Sequence, residues 1–92
     1  MAIIYRKKGK NRVGEKVEVY ITHSRPRGSD FARRGVRYVY TIEGSIAGFA
    51  FDAPEYTTNK RKAITIANRM LKRLEKTTVS FKKDIEPHLV KL

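Results

Sequence analysis

Residues 59–76 read NKRKAITIANRMLKRLEK and contain the clearest periodic pattern of the chain. At 100° per residue, five apolar side chains fall on one stripe, and Ile64 and Ile66 lie at its edges. Thr58 or Asn59 has a side chain suited to capping the first turn. The pattern therefore predicts an amphipathic helix whose stripe is buried against another element. The stripe consists of Ala63, Ala67, Met70, Leu71 and Leu74.

The opposite side of this helix is strongly basic. Like charges four residues apart, such as Arg69 and Arg73, cost roughly 0.2–0.5 kcal/mol. Cations in the first turn, such as Lys60, are disfavoured by the helix dipole by roughly 0.3–1 kcal/mol. A bound phosphate would relieve both costs, although a solvated basic face without a ligand is the alternative interpretation. The candidate nucleic-acid contacts on the helix are Lys60, Arg61, Lys62, Arg69, Lys72, Arg73 and Lys76.

The residues that precede the helix predict strands. Residues 16–22 alternate, with Val17, Val19 and Ile21 on one face, as in a half-buried strand. Residues 36–43 alternate in the same way. Because the strands come first and the helix follows, the order predicts an α+β fold. We expect an antiparallel sheet of three to four strands with one main helix packed on one face.

A turn and two less regular segments complete the prediction. Gly44-Ser45 is suited to a two-residue hairpin turn, and residues 46–52 would then form the next strand. Residues 3–5 are a short apolar run that can add another strand. The tail at 77–92 is predicted to be a packed extension of the core.

Two further basic segments are predicted to be loops. Residues 6–14, RKKGKNRVG, would form a basic arm, because Gly9 and Gly14 interrupt a charged run. Residues 23–35, HSRPRGSDFARRG, would form a long loop in which Phe31 either stacks on a base or anchors the loop to the core. Arginine forks suit phosphates and guanine edges. The candidate contacts in and beside this loop are Arg25, Arg27, Arg33, Arg34 and Arg37.

Composition and charge limit the classes of function. The 92 residues, one domain at 1–92, carry 21 Lys and Arg against 9 Asp and Glu, for a formal charge of +12. Residues 38–59 contain no Lys or Arg, so the charge is concentrated in separate patches. The chain has no cysteine, which excludes disulfides and thiolate metal sites and suits a cytoplasmic protein. Its longest apolar stretch, residues 46–51, is too short to span a bilayer, so no membrane partner is expected.

Catalytic patterns are sparse. His23 and His88 are the only histidines, and the nine acidic residues are scattered along the sequence. No metal-binding, nucleophile or phosphate-loop motif occurs, so we expect no cofactor, no metal and no enzymatic activity. Tyr20, on the polar face of its strand, is a candidate for base contact rather than for chemistry. A metal-independent ribonuclease that uses His23, nearby arginines and a tyrosine is a minor alternative.

Three partial resemblances accompany these patterns. The stretch Arg37-Tyr38-Val39-Tyr40-Thr41-Ile42 up to Tyr56, followed by the helix, resembles the amino-terminal DNA-binding domains of tyrosine recombinases and the plant AP2-type domain. Those domains lay a sheet face into the major groove. The helix start at 59–63 is similar to the last helix of double-stranded RNA-binding domains, whose first-turn lysines hold phosphates. Residues 37–40 also resemble small ribonuclease toxins. No specific motif supports any of the three, so no family is assigned.

The sequence therefore predicts a small basic protein that binds nucleic acid, with DNA favoured over RNA. Phosphate contacts would come from the helix face and the Arg-rich loop. The alternative is a small phage- or plasmid-type inhibitor that docks on an acidic protein or on a nucleoprotein complex.

Overall fold

The computed structural model describes residues 2–25, 35 and 37–89 of the chain. Four antiparallel strands come first, in the spatial order β1-β2-β3-β4, and a long helix follows. The predicted α+β architecture, an antiparallel sheet with one main helix, is confirmed. The elements are β1 (Ala2–Lys10), β2 (Lys16–Ser24), β3 (Val39–Ile46), β4 (Phe49–Thr57), α1 (Lys60–Lys76), a π-helical segment (Phe81–Ile85) and the short α2 (Glu86–Leu89).

The helix α1 forms where its periodicity predicted it. Asn59 has extended backbone angles, and its side-chain oxygen accepts a hydrogen bond from the Lys62 N–H at 3.2 Å. This bond satisfies one of the amide groups that the first turn leaves free. The helix ends at Thr77, whose N–H donates to the Leu74 carbonyl. All five residues of the predicted apolar stripe are buried, and Ile64 and Ile66 are half-buried at its edges.

The core lies between α1 and one face of the sheet. Val17 of β2 pairs with Ile46 of β3, and Ile21 pairs with Ile42, so these side chains point to the same side. Together with Val19 they are at most 1% exposed. The opposite face of the sheet, which we call the open face, has no helix packed on it within the described residues.

Gly44 and Ser45 do not form the predicted turn, because both lie inside β3. The chain instead reverses at Ala47 and Gly48, which have φ values of 51° and 85°. The glycine at 44 serves a different purpose, since it faces the helix. A Cβ atom added there would lie 2.9 Å from Cδ1 of Leu74 and 3.0 Å from the Met70 sulfur. The predicted strand at 46–52 is displaced accordingly, and β4 runs over Phe49–Thr57.

The predicted basic arm at 6–14 is also wrong for residues 6–10, which belong to β1 and pair with β2 from Arg6↔Tyr20 to Lys10↔Lys16. An edge strand needs a partner on one side only, and charged residues suit its exposed positions. A register shift between Ile3 and Tyr5 marks a bulge, which masks the alternation in the sequence. Only residues 11–15 form the connection to β2.

The tail from Thr77 packs on the turn between β1 and β2, as the predicted extension requires. The buried side chain of Asn11 donates to the Val79 carbonyl at 3.1 Å. The Glu15 carboxylate accepts a hydrogen bond from the Phe81 N–H at 2.7 Å. The Phe81 ring stacks on Phe49, with centroids 4.5 Å apart. These contacts hold the tail at the end of the sheet away from the start of α1.

Gly44→Val should lower the free energy of unfolding by about 1–3 kcal/mol, since a branched side chain there overpacks the contact with α1. Gly44→Ala should cost less than the valine, because the Leu74 and Met70 side-chain ends can shift to admit one methyl group. Ser45→Ala, on the open face, is the control and should stay close to wild type. Chemical denaturation followed by circular dichroism measures all three variants, and a valine variant as stable as the control would contradict the close approach.

Candidate nucleic-acid interface

The outer face of α1 is covered with exposed cations, because the packing of the apolar stripe directs every basic side chain to solvent. The first turn contains no acidic residue. The single acidic residue of α1, Glu75, lies over β1, where a Cβ atom added to Gly9 would come within 3.1 Å of its carboxyl carbon. The basic face is therefore not interrupted by a carboxylate. Its exposed members are Lys60, Arg61, Lys62, Arg69, Lys72, Arg73 and Lys76.

A shallow groove runs along the first half of this basic face. Asn59 and Thr65 contribute polar groups to it, and Ile66 contributes an apolar edge. Three cations, Arg61, Lys62 and Arg69, complete its lining. The groove thus combines guanidinium and ammonium donors with the start of a helix, where the backbone dipole also favours anions.

The register of the sheet brings two loop arginines to the same end of the molecule as the start of α1. Ser24 pairs with Val39, and Tyr40 pairs with Thr57, so the ends of β2 and β4 and the beginning of β3 are adjacent. Arg25 follows β2 directly and Arg37 shortly precedes β3, and both are exposed. The predicted contacts Arg27, Arg33 and Arg34, and the aromatic Phe31, lie outside the described residues.

An aromatic cluster lies beside these two arginines. The His23 and Tyr38 rings stack, with centroids 4.7 Å apart and planes 10° from parallel. Tyr40 is tilted against both rings at 6.3 and 6.4 Å. Tyr38 also lines a cavity of about 390 Å³ together with Arg25 and Arg37. Tyr40 also packs against the hydrophobic core, and the alternation of residues 36–43 did not predict the stacking of these three rings.

The open face of the sheet, unlike the outer face of α1, carries carboxylates among its polar side chains. Tyr20 lies on this face, as predicted, and pairs with Glu43 of β3. Its hydroxyl donates a hydrogen bond to the Glu43 carboxylate, and the Arg6 Nε contacts the Glu18 carboxylate at 2.8 Å. The centre of the open face therefore contains two carboxylates, both engaged by neighbours.

Lysines occupy one corner of the open face. Lys10 and Lys16 pair directly across β1 and β2, and Lys8 lies two residues along the same face. All three are exposed. The sheet therefore separates these lysines from the basic face of α1, which lies on its other side.

Within the described residues, no three His, Asp or Glu side chains are close enough to hold a metal ion. No helix in that part of the chain is both long and apolar enough to cross a membrane. No protein-family model, curated protein or solved structure matches the chain.

The Tyr20 phenol should titrate above its ordinary pKa of about 10. The hydrogen bond to Glu43, burial and the negative charges of Glu43 and Glu18 all raise its pKa. A phenol with a raised pKa binds its proton more tightly in the folded protein. Its contribution to stability is therefore complete below the unfolded pKa and is lost as the pH rises through the folded one.

Glu43→Gln should lower the pKa of Tyr20 towards the ordinary value. The measurement is an NMR titration of the tyrosine ring resonances, with Tyr20 assigned through a Tyr20→Phe variant. An unchanged Tyr20 titration in Glu43→Gln would show that this hydrogen bond does not set the pKa.

Proposed function

We propose that the chain binds nucleic acid, with duplex DNA favoured over RNA, through the outer face of α1 and the neighbouring Arg25 and Arg37. The observation that supports this proposal is the basic face itself, with seven exposed cations on one 17-residue helix and its one carboxylate turned towards β1. A face selected for solubility alone would mix acidic with basic residues, since this mixture avoids repulsion between like charges.

The dimensions of α1 suit a duplex backbone. A helix of this length extends about 25 Å, at about 1.5 Å per residue. Successive phosphates of one DNA strand are about 3.4 Å apart along the axis, so the helix can lie alongside several of them. The long, flexible lysine and arginine side chains can then reach phosphates on either side of the helix axis.

The first turn of α1 makes a second favourable contribution to the binding of a phosphate. Lys60, Arg61 and Lys62 place three cations where the helix dipole is itself positive. Without a ligand these charges oppose the dipole, whereas a phosphate at the first turn interacts favourably with both. The groove lined by Arg61, Lys62 and Arg69 is the proposed location for that phosphate.

The open face of the sheet is less suited to the same partner. Glu18 and Glu43 lie at its centre and would repel a phosphate backbone. We therefore propose that α1, rather than the open face, is the principal surface of contact, and that the contacts bind rather than cleave the nucleic acid.

Changing Arg69, Lys72 and Lys76 to Gln should weaken binding to a short DNA duplex by tenfold or more, where tenfold corresponds to about 1.4 kcal/mol. The log–log salt dependence should also become shallower, by about 0.9 for each phosphate that the variant no longer neutralises. Fluorescence anisotropy at several salt concentrations measures both quantities. Folding should be preserved, because these side chains are exposed and their removal relieves repulsion along the helix.

Changing Lys8, Lys10 and Lys16 to Gln is the matched control, since it removes the same charge from the other side of the sheet. The control should affect binding less than the helix variant does. Equal losses of affinity from the two triple variants would indicate a general effect of net charge and would contradict an interface on α1. A wild-type affinity for duplex that does not change with salt would instead favour an acidic protein as the partner.

A further inference from the structure

We infer that the cavity lined by Arg25, Arg37 and Tyr38 binds one unpaired nucleotide of a nucleic-acid strand. The base would stack on the Tyr38 ring, and the adjoining phosphate would lie between the two guanidinium groups. This inference rests on the proposed function, because it presupposes that the chain binds nucleic acid. It adds that an unpaired nucleotide binds at the end of the molecule where α1 begins. It adds a second site, distinct from the basic face of α1.

The Tyr38 ring is held in a defined orientation. His23 stacks against it nearly parallel, and Tyr40 is tilted against both rings. Tyr38 is only half-buried, and it contributes to the wall of the cavity. A ring that two neighbouring rings hold in place, and that is half-exposed at the wall of a cavity, is suited to stacking, because little side-chain entropy remains to be lost when a base binds.

The two arginines provide the complementary chemistry. Arg25 extends from the end of β2 and Arg37 from the approach to β3, and these two strands are hydrogen-bonded neighbours through the pair Ser24↔Val39. Both side chains are exposed, and both line the cavity. Planar guanidinium forks bind phosphate oxygens bidentately and also stack on bases. An aromatic platform flanked by two such forks therefore matches a base together with its phosphate.

The base must be unpaired to use this cavity. Within a duplex the interior bases are covered on both faces and a terminal base stays joined to its pair, so a single base reaches Tyr38 only from an overhang or a single strand. The start of α1 lies at the same end of the sheet, because β4 leads directly into it. A duplex with a single-stranded overhang can thus engage α1 with its paired part and the cavity with its overhang.

The test compares a blunt DNA duplex with the same duplex bearing a four-nucleotide overhang, by fluorescence anisotropy at one salt concentration. The wild-type chain should bind the overhang duplex more tightly, by roughly 5- to 150-fold, which is the range that one stacked base contributes. Tyr38→Leu should abolish this difference and leave affinity for the blunt duplex unchanged. Tyr38→Phe keeps the ring and should retain the difference, which also controls for damage to the aromatic cluster.

Two further measurements extend the test. The first distinguishes the contribution of the base from that of the phosphate, and the second asks whether a free nucleotide binds at the same site. An overhang of abasic nucleotides should lose the Tyr38-dependent gain, whereas Arg25→Gln with Arg37→Gln should weaken binding of both the normal and the abasic overhang. A free nucleoside monophosphate that competes with the overhang duplex, but not with the blunt one, supports the same site.

Equal affinity of the wild-type chain for the two duplexes would overturn the inference and leave the proposed function intact. An overhang preference that Tyr38→Leu does not reduce would also overturn it. Failure of the proposed function has a different signature, namely that the Arg69, Lys72 and Lys76 variant binds the blunt duplex as the wild type does.

Discussion

The contact between α1 and Gly44 of β3 is the constraint on which the rest of the molecule depends. Because Gly44 has no side chain, Met70 and Leu74 can approach β3 closely, and they belong to the same buried core as Val19 and Ile42. Once the apolar stripe of α1 is buried against the sheet, the helical periodicity fixes which residues lie on the opposite side of the helix. Every basic residue of α1 must face solvent, so the same packing that stabilises the core also assembles the basic face.

The register of the sheet then organises the two ends of the molecule differently. At one end, the turn at residues 11–15 and the tail are joined through Asn11 and Glu15, which satisfy backbone groups of Val79 and Phe81. That end is closed by hydrogen bonds and by an aromatic stack. At the opposite end lie Arg25 and Arg37, the rings of Tyr38 and Tyr40, and the start of α1. The described hydrogen bonds of the tail are therefore structural, whereas the cavity beside Tyr38 and the groove at the start of α1 lie at the other end.

Local patterns in the sequence predicted α1 accurately, since its cap and its 3.6-residue period depend on residues close together in the chain. β2 was predicted for the same reason. β1 was predicted only at residues 3–5, and its basic half was assigned to a loop, because a bulge and its edge position hide the alternation. Gly44 was misassigned because a glycine that admits a helix looks like a turn glycine. The exposed basic face could be predicted from α1 alone. The stack of His23 on Tyr38 could not, because it requires the register of β2 against β3.

The basic face also affects how the fold is stabilised. Like charges along α1 and cations at its first turn oppose helix formation, and the Asn59 cap satisfies one free amide without cancelling those charges. The helix must therefore be maintained mainly by its packing on the sheet, at the contact that includes Gly44. A bound polyanion would neutralise the repulsion only in the folded state, because only folding aligns the cations on one face. Binding of such a ligand would thus be coupled to folding through α1, and loss of the packing would separate the cations of the proposed interface without any change to the cations themselves.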